Sequence, residues 1–401
     1  MTDADYEVVC SKIDEEKGYL NSVSQDIWKL PELAYKEVHA HALLTCALKR
    51  HGFKVQKHYY MQTAFRAEFS TNSDTGVTVA FLLEYDALPE IGHACGHNLI
   101  AEAGLAAAIA TKAAMEKDKT IIGKVVVLGT PAEEGGGGKI KLLEFGAFDG
   151  IDVALMVHPG FLTRLSPIFL SSVKGSVHFK GKEAHAGAVP WLGVNALDAA
   201  VSCYQNLALM RQQIKPTCRI NVIITKGGSA ANVIPDESSM EFFIRASTMG
   251  ELKSLVTKVE NCIKSAACAT GCEMEFSFVE EDCYNNLITN KVLINLFDSY
   301  LNRLGYINDD KKAINLPVGS TDMGNVSHKI PSIHPLYRIP ATAVNHTKEY
   351  TKFAGAETAQ EPTLQMGKAM ALTALHVLRS PEVLEEIKKE FISDLEEDSR
   401  G

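Results

Sequence analysis

The chain has 401 residues, 46% hydrophobic and 22% charged, a balance that fits two or three packed domains and excludes a disordered or fibrous class. Forty Lys and Arg against 49 Asp and Glu leave a net charge of −9 with no basic run, which argues against nucleic acid as a partner. No apolar stretch reaches the roughly 18 residues of a membrane span, and residues 1–24 are polar and acidic with no signal-peptide core. The nine cysteines lack a framework spacing, so free thiols and a cytoplasmic location are expected. Cys268 and Cys272 have the spacing of a metal pair, but no second pair lies nearby.

Residues 5–51 read as helical through Ile13, Leu20, Val23, Ile27 and Leu30; Pro31 interrupts, and a second helix covers 35–50 before Gly52. Strands are predicted at 64–69 and 77–83, an Ala-rich helix at 99–115 and a strand at 123–128. A short helical piece at 142–145 and a strand at 151–156 follow. This alternation predicts an α/β domain, in which ligands gather at strand ends. Near Pro167 the pattern changes. A strand at 168–180, a helix at 194–213, strands at 219–226 and 239–246, a helix at 252–269 and a strand at 273–279 give the β-α-β-β-α-β order of a ferredoxin-like unit. Residues 283–304 and 360–379 return to helix, and the tail after Pro381 reads as a solvated helix with a fraying end. The expected fold is an α/β domain over 1–165 and 282–401, interrupted by an inserted α+β unit over 166–281.

Four stretches carry candidate chemistry. The first follows the apolar run 77–83 and reads Glu84-Tyr-Asp-Ala-Leu-Pro-Glu-Ile-Gly-His-Ala-Cys-Gly-His-Asn98. Here Asp86 can orient a ligand, and Cys95 and His97 offer a thiolate and an imidazole. The second, Leu128-Gly-Thr-Pro-Ala-Glu-Glu-Gly-Gly-Gly-Gly138, resembles a phosphate-cradling loop until its spacing is checked. Glu133 stands where the first glycine belongs, and Ile140 stands where a Ser or Thr should bind magnesium. Its adjacent carboxylates suit another chemistry, in which one ligates a metal and its neighbour takes a proton from water. His158, just past an apolar strand, and His346, in Val344-Asn-His-Thr347, complete the set. Any of these alone could be a turn, a surface loop or a structural histidine. Together they make a two-metal hydrolase plausible.

These motifs resemble the M20 peptidase family of aminoacylases, carboxypeptidases and amidohydrolases, over essentially the whole chain. Asp86-Ala-Leu-Pro with Gly92-His-Ala-Cys-Gly-His97 resembles the amidohydrolase branch. Gly96-His-Asn-Leu-Ile-Ala-Glu102, Thr130-Pro-Ala-Glu-Glu134 with its glycines, and Asn345-His-Thr347 are similar to a branch of dipeptidases acting on β-alanyl-lysine and related Xaa-Lys/Arg/ornithine dipeptides. The resemblance implies a metallopeptidase catalytic domain with an inserted dimerisation (lid) domain, and a homodimer. It implies metal ligands Cys95, His97, Glu134, His158 and His346, with Glu133 as general base and Asp86 orienting the site. In Gly181-Lys-Glu-Ala-His185 it implies a histidine that reaches a neighbouring subunit's site and steadies the oxyanion. Asn232 and Arg245 match groups that hold the substrate's amide and carboxylate. Asn98 replaces the usual aspartate of the plant and bacterial amidohydrolases, and Gly319-Ser-Thr-Asp322 stands where they carry Ser-Glu-Asp. Their substrates therefore do not transfer directly.

The reaction implied is hydrolysis of an amide in a small dipeptide or N-acyl amino acid with a free carboxylate. Two divalent ions are expected: a thiolate favours zinc, while manganese or cobalt suits the carboxylates. N-acyl amino acids and aminobenzoyl-glutamate are alternative substrates. A non-catalytic partner subunit would lack the base or a ligand, and none is missing here. A thiol enzyme using Cys95 as nucleophile would be indifferent to chelators.

Overall fold

The computed structural model describes residues 2–71, 76–308 and 316–400. It divides into two units, one of Met1–Pro167, Leu287–Leu316 and Asp322–Leu395, the other of Ile168–Asn286, Pro317–Thr321 and Glu396–Gly401.

The first unit opens with helices α1 (Asp3–Lys29) and α2 (Val38–Arg50). Thr2 and Asp5 form a reciprocal capping box at the start of α1. The second helix begins later than its periodicity predicts, because Tyr35 takes a left-handed φ of 61° that no helix accommodates. Strands β1 (Lys54–Lys57), β2 (Phe65–Ser70) and β3 (Val77–Leu83) lead to helix α3 (His97–Lys117). Strand β4 (Gly123–Gly129), helix α4 (Gly138–Glu144) and strands β5 (Val153–Leu155) and β6 (His158–Gly160) follow.

The second unit contains β7 (Ser171–Lys180), β8 (Ala184–His185), α5 (Ala196–Met210), β9 (Arg219–Lys226), β10 (Val233–Ile234), β11 (Glu237–Ala246), α6 (Met249–Thr270) and β12 (Glu273–Tyr284). Its main sheet has the antiparallel order β12-β7-β11-β9, the strand arrangement of a ferredoxin-like unit. Along β11 the alternate residues Met240, Phe242, Ile244 and Ala246 are buried and pack with Leu207, Leu255, Val259 and Ile263 of the two helices. Cys272 lies in that core and Cys268 is exposed; neither joins a metal-type cluster among the described residues.

The chain then returns through α7 (Lys291–Arg303), α8 (Met323–Ser327), β13 (Ser332–Ile333), β14 (Leu336–Arg338), α9 (Lys348–Ala354), α10 (Gln360–Arg379) and α11 (Pro381–Arg400). Helix α7 starts at Lys291 instead of 283, because Asn290 caps it and Cys283 and Tyr284 belong to β12. The last helix is more than a solvated tail, since Leu384 and Ile387 lie in the main core.

The sheet of the first unit has the order β1-β2-β4-β3-β5-β13, and β4, β3, β5 and β13 are mutually parallel. Both faces are covered, so the parallel strands read as unbroken apolar runs. Val79, Phe81, Leu83, Val125 and Val127 face one core, with α1, α3 and α10. Ala80, Leu82, Val126 and Leu128 face the other, with Leu142 of α4 and Val326 of α8. Helix α3, apolar on every side, is buried along nearly its whole length. The parallel strands share one direction, so the segments leaving β3, β4 and β5 emerge along one edge.

Candidate metal centre

Each candidate ligand in the first unit leaves the scaffold at a strand end or a helix start. Strand β3 delivers Glu84 and Asp86, strand β4 the turn with Glu133 and Glu134, and β5 leads to His158. Gly96 lets α3 begin directly after Cys95. It is left-handed, with φ 80°, and a Cβ there would lie 2.6 Å from Pro159 Cγ. Only glycine meets both demands. His346 is brought in by its own N–H, which donates to Ala94 O at 2.9 Å. Asn345 Nδ2 donates to both Cys95 O and Pro159 O, tying three loops together.

The donor atoms form overlapping groups, each within 4.8 Å: Cys95, His97 and His158; Cys95, Glu134 and His346; His97, Glu133 and Glu134. Cys95 Sγ lies 3.3 Å from His158 Nε2, and Glu134 Oε1 lies 3.3 Å from His346 Nε2. The first two groups have Cys95 in common, and each could hold a divalent ion. The fit goes beyond proximity. His97 Nδ1 donates to Asp86 Oδ1 at 3.0 Å, which leaves Nε2 as the ligating atom. That Nε2 is buried without a hydrogen bond and faces Glu133 and Glu134, each at 3.9 Å. His158 Nδ1 likewise donates to Pro159 O, freeing its Nε2. A buried acceptor aimed at carboxylates and a thiol is the donor set that a divalent cation satisfies.

The electrostatics separate the two adjacent glutamates. Burial would raise Glu134, but His346 and His97 outweigh it and hold the carboxyl below its usual range. Burial, then the carboxylates of Glu84, Glu134 and Asp322, push Glu133 well above that range. Asp86 would be raised by burial too, yet His97 and the Glu134 N–H, 3.0 Å from Oδ2, keep it low.

Beside Glu133 sits a charged trio that the sequence motifs did not identify. Lys139, with no exposed surface, bonds Glu84 and lies 2.7 Å from Asp322 Oδ1, while its backbone N–H donates to Asp322 Oδ2. Burial disfavours its charge, but the two carboxylates keep the ammonium well above its ordinary pKa. In the sequence Lys139 is simply the residue after the glycine run that ends at Gly138. Its actual signal was a lysine at the start of a short buried helix.

His185, Asn232 and Arg245 belong to the second unit. His185 pairs in register with Val233, and Ala186 N–H donates to Asn232 O at 3.0 Å, so His185 and the Asn232 turn are neighbours. Arg245 lies on the other sheet, in β11, with its guanidinium 3.9 Å from the Phe243 ring centroid.

Residues 171–269 match the peptidase dimerisation domain of the M20 family. The chain is 46% identical to Xaa-Arg dipeptidase of Mus musculus over 401 residues, 96% of this chain and 92% of that protein. The chain belongs to the M20 peptidase family. The human Xaa-Arg dipeptidase is 45% identical with the same coverage. A p-aminobenzoyl-glutamate hydrolase of Escherichia coli is 31% identical in one of its polypeptides, over 75% of this chain and 65% of that one. Among solved structures, a dinuclear metal-binding M20 peptidase from Bacillus subtilis superposes with a TM-score of 0.72 at 20% identity, covering 91% of this chain and 99% of the other. The M20 fold, with its dimerisation domain inserted, is thus common to chains of very different sequence.

Proposed function

We propose that this M20 protein is a metal-dependent dipeptidase that hydrolyses small dipeptides ending in a basic residue, of the Xaa-Arg, Xaa-Lys, Xaa-ornithine or β-alanyl-lysine kind. One observation carries the reading: five metal-type donors from four segments of the chain converge beside the partly buried Glu133. The 46% identity to Xaa-Arg dipeptidase supports the substrate class. Cys95, His97 and His158 would hold one ion, and Cys95, Glu134 and His346 the other. Zinc is favoured by the thiolate, with manganese or cobalt as alternatives. Bound divalent ions supply Lewis acidity and bring the pKa of water toward neutrality. Glu133 then accepts the proton of the attacking water on its carboxylate and hands it to the leaving amine. Asp86 holds the His97 ring in its ligating tautomer. His185 of a neighbouring subunit steadies the oxyanion, Asn232 binds the amide and Arg245 the terminal carboxylate.

Residues 166–281 act in this reading as the dimerisation and lid domain of a homodimer, and residues 1–165 and 282–401 as the catalytic domain. All nine cysteines are free, and no described helix is long and apolar enough to cross a membrane, in keeping with a cytoplasmic enzyme.

The test is a screen of the metal-reconstituted full chain against β-alanyl-lysine, Xaa-Arg and Xaa-ornithine dipeptides, aminobenzoyl-glutamate, and indole-acetyl and N-acetyl amino acids. Basic dipeptides should be cleaved, chelation should abolish cleavage, and metal add-back should restore it. Cleavage confined to N-acetyl amino acids would overturn the dipeptidase reading. Glu133→Gln should keep its metal and lose about 10²–10⁴ in kcat.

A further inference from the structure

A second buried carboxylate, outside the metal-type cluster, grips the turn that carries Glu133 and Glu134. Glu37 occupies the N-cap position of α2, yet its side chain makes no capping bond to that helix. Glu32 does that work instead, accepting from His39 N–H and Ala40 N–H at 2.8–3.0 Å. Glu37, with no exposed surface, points across the domain. Its Oε1 accepts from the Ala132 and Tyr35 N–H groups, both at 2.9 Å, and its Oε2 from Thr63 Oγ1 at 2.7 Å. Ala132 immediately precedes Glu133 and has a φ of 61°, a left-handed conformation that a non-glycine residue adopts only when its surroundings impose it.

The short connection between α1 and α2 touches both reactive loops. Glu32 O accepts from the N–H of Ala87, the residue after Asp86, at 2.8 Å, and the Tyr35 hydroxyl donates to Gly136 O. Tyr35 is itself left-handed. Two left-handed residues thus donate to one oxygen of a single carboxylate, next to the turn that carries Glu133 and Glu134.

We propose that Glu37 is a positioning residue: by accepting the Ala132 N–H it holds that residue left-handed and so sets the direction in which Glu133 and Glu134 leave β4. The inference rests on the reading of Glu133 as the proton acceptor and Glu134 as a ligand.

The test compares wild type, Glu37→Met, Ala132→Gly and the double variant as zinc-reconstituted full chains, by kcat, KM, calorimetric zinc affinity and thermal melting. Glu37→Met, which keeps the bulk but removes the acceptor, should lose tenfold or more in kcat, roughly what a small misplacement of a reacting group costs, with KM within about twofold. Its zinc affinity should fall as well, since Glu134 moves with the turn. Glycine adopts the left-handed conformation without help, so adding Ala132→Gly should restore kcat by about fivefold. A lower melting temperature with kcat and zinc affinity unchanged, or a loss that Ala132→Gly does not relieve, would overturn the proposal. If Glu37→Met does not fold, Glu37→Asp withdraws the carboxylate by one methylene and must give the same kcat and zinc losses. If wild type cleaves none of the substrates, the dipeptidase reading falls, and the zinc affinities alone decide the role of Glu37.

Discussion

Glu133 and Glu134 are chain neighbours whose surroundings drive their carboxyls in opposite directions, the condition for giving one a proton-transfer role and the other a ligand role. The Lys139 trio beside them is a structural commitment of the same kind. Lys139→Met should destabilise the fold by about 3–5 kcal/mol, because it strands two buried carboxylates; chemical denaturation measures it. Farther away, Glu102 is buried in α3 with Gln360 Nε2 2.9 Å from its Oε2, and burial raises its pKa from 4.5 to about 7. Below pH 4.5 both the folded and unfolded states hold this proton. As pH rises toward 7 the unfolded chain releases it first, so folded-state stability declines over that window and levels off above it. Glu102→Gln should flatten that decline and add at most about 3 kcal/mol above pH 7, read from denaturant midpoints across pH. Neither Lys139 nor Glu102 was legible in the sequence as a buried charge. Cys95, His97 and the Glu pair stood out because such residues cluster in few other ways, whereas Glu37 and Glu102 looked like ordinary charges in helical segments and Lys139 like a loop lysine after a glycine run.

At the scale of elements, strands β3 and β4 were legible because burial on both faces leaves nothing but apolar residues between turn signals. Strand β1 was not, since Lys54–Lys57 is a mostly exposed edge strand whose pairing with β2, not its own pattern, makes it a strand. The late start of α2 was equally hidden, for it depends on Tyr35 being held left-handed by contacts far away in sequence. Helix α3 shows how an element can serve the site directly. Gly96→Ala would add left-handed strain and a clash with Pro159, the residue after His158. The expected result is at least a tenfold loss of zinc affinity by calorimetry with helix content unchanged by circular dichroism. Wild-type affinity would mean that the Gly96–Pro159 contact does not help place His158.

For the whole molecule, the two units have separate apolar cores, and all five candidate ligands come from the first. Ligand binding stabilises only the species that binds, by about 4 kcal/mol at a thousandfold excess over Kd. Chelating the metal of zinc-reconstituted protein should therefore lower the calorimetric transition of the first unit by several degrees and leave that of the second in place. A uniform shift of both would show that the units unfold as one. This division was legible as a change from mixed strand–helix alternation to the ferredoxin-like order. The small returns of chain at Pro317–Thr321 and Glu396–Gly401 were not, because they are too short to have a period of their own.

The bond from His346 N–H to Ala94 O also has a temporal side. Cys95, His97, Glu134 and His158 are all translated before the second unit, and His346 only after it. At about 5–20 residues per second, a growing chain spends on the order of ten seconds or more with four donors made and the fifth still missing. On the reading proposed above, any ion met during that interval would find an incomplete set of donors. The segment 344–347, anchored by the His346 N–H on Ala94 O, would thus complete the proposed donor set only after the second unit has been made.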